Sequence, residues 1–83
     1  MGSAHDTARI LVELSRELGR MAGLSYEIAA VLRQAGLDAW AHTARTEARS
    51  LHRLAAQARG LAVHIAATAE HDGPRRYGPL PRS

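Results

Sequence analysis

Eighty-three residues make one small domain, and the absence of cysteine excludes both a disulfide staple and a thiolate metal site. All eleven basic residues are arginine, set against eight acids; the resulting formal charge of +3 does not by itself call for a polyanionic partner. No apolar run approaches 18 residues, so no membrane span is expected, and the first residues lack the apolar core of a signal peptide.

Hydrophobic residues make up 46% of the chain, mostly alanine and leucine with no phenylalanine. That composition forms helices readily and offers light core side chains. The exclusive use of arginine, with so much alanine, is the composition of a GC-rich genome.

Residues 1–5 read as a disordered N-terminus, and Asp6-Thr7 as the cap of a first helix over about 6–35. Leu11, Leu14, Leu18, Met21, Ser25, Ile28, Leu32 and Ala35 then alternate steps of three and four, which is a heptad seam. Ile10, Leu24 and Val31 widen it, while Arg9, Glu13, Arg16, Glu17 and Arg20 occupy the opposite face. Gly36 can take the left-handed conformation that ends a helix, and Asp38 can cap the next one, giving a turn over 36–38.

The second helix is expected over about 39–72, until Gly73-Pro74 stops it. Trp40, Ala44, Glu47, Leu51, Leu54, Ala58, Leu61, Ile65 and Thr68 repeat the seam. A strip of small residues runs beside it: Ala41, Ala48, Ala55, Ala62, Ala66 and Ala69. Residues 73–83 hold three prolines and read as a flexible, arginine-rich tail.

Together these elements predict an all-α, antiparallel two-helix hairpin whose leucine seams pack on each other. Leu14 then faces Leu61, Ile10 faces Ile65 and Met21 faces Leu54. Gly19 would meet Ala56 and Gly60 would meet Ser15, so close backbone approach is the role expected of these glycines. Two helices can bury only one stripe each. The surface left over, with Leu24, Val31, Trp40, Ala48, Ala55 and Ala62, predicts a partner interface and a four-helix bundle built by dimerisation. The partner would be a second copy or a related hairpin chain.

The turn region, Trp40-Ala41-His42-Thr43-Ala44, resembles the turn of the WXG100 (ESAT-6-like) proteins, which carry a tryptophan between two long helices. Trp40 and Ala44 match that pattern; His42 stands where the family has glycine. The resemblance spans residues 6–72 chiefly as pattern. It implies a dimeric helical hairpin associated with type VII secretion, either cytoplasmic or exported without a signal peptide. The family's export signal places an acid four residues after a tyrosine; no acid follows Tyr77.

Other chemistry is thinly represented. Arg45, Arg49 and Arg53 line one face at four-residue spacing with His42 and His52 beside them, a docking face for phosphate or for an acidic protein. The plainer reading is a solvated face partly neutralised by Glu27, and without interleaved aromatics nucleic acid is not expected as a partner. Residues 23–32 resemble the first helix of a sigma-factor-type helix-turn-helix, but Arg33-Gln34-Ala35 continue the helix where that motif must turn. Glu47 sits in a seam, where a charge is costly unless paired, and is a candidate for setting register. The five histidines form no i,i+4 pair, so neither a metal nor any other cofactor is expected. No nucleophile–base arrangement and no paired carboxylates share a face. The expectation is a non-enzymatic interaction protein; the alternatives are a small basic nucleic-acid-associated regulator using Arg45, Arg49 and Arg53, or an assembly or docking domain of a larger enzyme system.

Overall fold

A capping box opens the first helix. In this computed structural model, which describes residues 3–77 and side chains through residue 69, Ser3 is the N-cap of α1 (Ala4–Gln34). Its hydroxyl accepts from the Asp6 amide at 3.1 Å, and the Asp6 carboxylate accepts from the Ser3 amide. The cap therefore lies three residues earlier than Asp6-Thr7 suggested. Asp6 contributes from the first turn instead, where its charge also suits the helix dipole.

The corner is a Schellman motif. Gly36 takes φ +81°, a conformation that only glycine adopts without strain. The Leu37 amide donates to the Leu32 carbonyl and the Gly36 amide to the Arg33 carbonyl, both at 2.9 Å, satisfying two of the carbonyls that a helix end leaves unpaired. The next helix, α2 (Asp38–Tyr77), starts immediately. Its first hydrogen bond runs from the Ala41 amide to the Leu37 carbonyl, so Asp38 is the first helical residue rather than the cap. At its far end α2 continues past Gly73-Pro74, where the sequence reading stopped it. The helix continues although a proline there removes an amide donor and crowds the preceding turn. The expected flexible tail lies, from residue 78 onward, outside the described residues.

The two helices pack along each other as an antiparallel hairpin, but the innermost line of the seam is small residues, with half of the expected leucine seam only flanking it. The buried residues are Ala8, Ser15, Ala22 and Ala29 on α1, and Ala41, Ala48, Ala55 and Ala62 on α2. Each set repeats every seven residues without a break. Ser15 and Ala48 are wholly inaccessible, and Ser15 donates its hydroxyl to the Val12 carbonyl at 2.7 Å, so nothing polar is stranded there. Methyl and hydroxymethyl groups at these positions permit close approach of the two backbones.

Ala48, Ala55 and Ala62 are therefore not an outward partner strip. They are the inner face of the hairpin. A pair of helices with no third layer gains most from close approach of its backbones, and alanine at every heptad permits this. The residues three positions after each seam residue then flank it from one side: Leu11, Leu18, Ser25 and Leu32, and Ala44, Leu51, Ala58 and Ile65. All eight are half-buried.

Candidate interaction surface

Helical periodicity sorts the remaining side chains into two faces. In an antiparallel pair, equivalent heptad positions on the two helices fall on the same side. On the side of the half-buried leucines stand Leu14, Met21 and Ile28 from α1, and Trp40, Leu54 and Leu61 from α2. Ile10, Leu24 and Val31 extend this face outward along α1. Leu24, Ile28, Val31 and Leu32 line one hollow on it, with Glu27 at its border.

These large residues are exposed to an unusual degree. Leu14 is 50% accessible, Leu61 50% and Trp40 67%. The nine exposed residues on this side leave on the order of 1,000 Å² of apolar side chain in water, whereas a typical monomer's largest apolar patch is about 300–600 Å². The whole chain tells the same story. It exposes 6148 Å², where a compact monomer of this length exposes about 4,900 Å². Its radius of gyration is 19.4 Å, against about 12 Å for a compact domain of 83 residues.

Of the residues expected at a partner interface, Leu24, Val31 and Trp40 lie on this apolar face, while Ala48, Ala55 and Ala62 do not. Leu14, Met21, Ile28, Leu54 and Leu61, expected in the intramolecular seam, take their place, while Leu11, Leu18, Leu32, Leu51 and Ile65 stay half-buried beside the alanines. A signal for this was present in the sequence: Ala8, Ser15, Ala22 and Ala29 match the period of the alanine strip on the second helix. Glu47 is exposed between Trp40 and Leu54 and makes no ion pair among the described residues.

The opposite face is polar and basic. Arg33 from the end of α1 and Ala41, His42 and Arg45 from the start of α2 line one groove with Asp38, so the two helices contribute to this face together. Arg49, His52, Arg53 and Arg59 continue it along α2, all exposed. The ion pairs among the described residues all lie on α1, each three residues apart: Arg9 with Asp6, Arg16 with Glu13 at 3.1 Å, and Arg20 with Glu17. Glu27 makes none, so the neutralising role expected of it toward Arg45, Arg49 and Arg53 is not realised.

The glycines inside the helices do not serve close packing either. A Cβ placed on Gly19, Gly23 or Gly60 would meet nothing within 4 Å. Backbone approach is secured by the alanine heptads, and these glycines face open space. Of the five histidines, His71 lies outside the residues whose side chains are described. Among the described residues no three histidine or acidic side chains are grouped to hold a metal ion, and no helix is long and apolar enough to cross a membrane.

No family model, curated protein or solved structure matches this chain.

Proposed function

We propose that this chain is a non-enzymatic interaction protein, a helical hairpin that works as a homo- or heterodimer by laying its leucine face against another helical hairpin. The observation that carries the reading is the full-length apolar face opposite the arginines. A hairpin whose fully buried side chains are alanine and serine, and whose larger apolar side chains are at best half covered, gains by burying the rest against a partner. Covering about 1,000 Å² on each partner would bury about 2,000 Å² in total, the upper range of a standard specific interface.

A four-helix bundle is the assembly that covers both partners at once. The resemblance of Trp40-Ala41-His42-Thr43-Ala44 to WXG100 proteins favours the same architecture and would associate the chain with type VII secretion. On this reading it acts in the cytoplasm or leaves by a signal-peptide-independent route.

Solution mass by light scattering across micromolar concentrations, with helicity read by circular dichroism on the same samples, tests the reading. A helical dimer is the expected result for self-association. A poorly helical monomer that becomes helical on co-expression with a neighbouring gene would assign the partner to another chain. A well-folded helical monomer would overturn the proposal.

A further inference from the structure

Arg45, Arg49 and Arg53 follow one another on α2 at four-residue steps, each about 6 Å along the helix axis and about 40° around it, and Arg59 returns to the heptad position of Arg45 about 21 Å along the axis from it. Like charges at four-residue spacing repel; Asp38 lines the groove beside Arg33 and Arg45, but none of these arginines makes an ion pair among the described residues. The two acids among the described side chains of α2 are Asp38, at the turn, and Glu47, on the apolar side. The arginines of α1 show the contrast, since three of its four are tied to an acid within one turn. Arg33 is the fourth, and it joins the α2 row across the groove shared with His42 and Arg45.

We propose that this face, Arg33 with Arg45, Arg49, Arg53 and Arg59, binds the phosphodiester backbone of duplex nucleic acid without reading its sequence. A row of one charge sign without ion pairs is retained against its own repulsion, which fits a ligand of the opposite sign. Tyr26 and Val63 are the exposed large apolar side chains on this side, so an acidic protein docking there would gain mainly exposed ion pairs, which contribute little in water. A polyphosphate gains by releasing condensed counterions and needs neither pocket nor apolar contact. One aromatic side chain, Tyr26, shares this side at the heptad position of Arg45 and Arg59 and is 42% exposed; a single ring among the arginines leaves the backbone as the main contact. The face also stays open when a partner covers the leucines, because it lies on the other side of the hairpin.

Fluorescence anisotropy of the full chain with a labelled random-sequence duplex, titrated at several salt concentrations from 25 to 200 mM as a rough working range, tests this. Four to five phosphate contacts give a slope of log K against log salt near −4, hence an affinity loss of about 250-fold between 50 and 200 mM. The triple variant Arg45→Ala, Arg49→Ala, Arg53→Ala should flatten that slope by about 2.7. The control variant Arg9→Ala, Arg16→Ala, Arg20→Ala removes the same charge from arginines on the same side that are already paired with acids, and should flatten the slope by clearly less. Circular dichroism of both variants checks that each still folds. Absence of binding at the lowest salt, or equal loss in the two variants, would overturn the proposal. So would binding of poly-glutamate as tight as that of the duplex, which would reassign the face to an acidic protein.

Discussion

The hairpin carries two apolar stripes that differ in kind. The inner one is alanine and serine on a strict seven-residue period, and it is fully buried. The outer one holds the leucines, isoleucines, methionine and tryptophan, and half of that surface is wet. Sequence logic assigns the heavier stripe to the intramolecular core because it promises more buried area. The fold makes the opposite assignment. Small residues win the inner position because two lone helices gain from backbone proximity, and the heavy residues stay available for a third and fourth helix.

The most damaging test of that contrast is to enlarge the inner stripe. Ala48→Leu inserts three carbons where nothing is accessible, so overpacking should cost about 3 kcal/mol and lower the melting temperature sharply. Were the alanines an outward strip, the same change would be nearly neutral. On the outer stripe, Leu61→Glu should leave an isolated hairpin little changed but weaken association by about 2 kcal/mol, read as a roughly 30-fold rise in the dimer dissociation constant by sedimentation. A drop in helicity tracking that rise would tie folding to assembly.

The corner joining the stripes is the next most sensitive place. Gly36→Ala at φ +81° should cost about 1 kcal/mol in a thermal melt, independent of protein concentration if only the turn is strained. The smallest effect should have the opposite sign. Gly23→Ala enters open space on a helix exterior and should stabilise by about 0.5–1 kcal/mol. A destabilised Gly23→Ala would mean that a partner chain closes on that glycine in solution.

Local chemistry was legible at the turn. Gly36 ends one helix for the reason glycine usually does, and Leu37 and Asp38 open the next without a linker. The starting cap was misplaced because Asp6 and Ser3 are both good caps, and their reciprocal bonds appear only once the helix is formed. The apolar face was read in part. Leu24, Val31 and Trp40 fall on it, while Ala48, Ala55 and Ala62 were exchanged with half of the leucine seam. The arginine row was visible as a spacing, but its lack of ion pairs was not, since Glu27 was within reach on paper.

The sequence by itself determined that there are two long helices, where they meet, and that they run antiparallel, because periodicity and a turn glycine act over a few residues. Which stripe faces inward was decided only by tertiary structure. Both stripes satisfy the same heptad period, and they differ by less than one residue's rotation about the helix axis. The choice depends on how closely two backbones can approach, a property of the pair that neither helix carries alone.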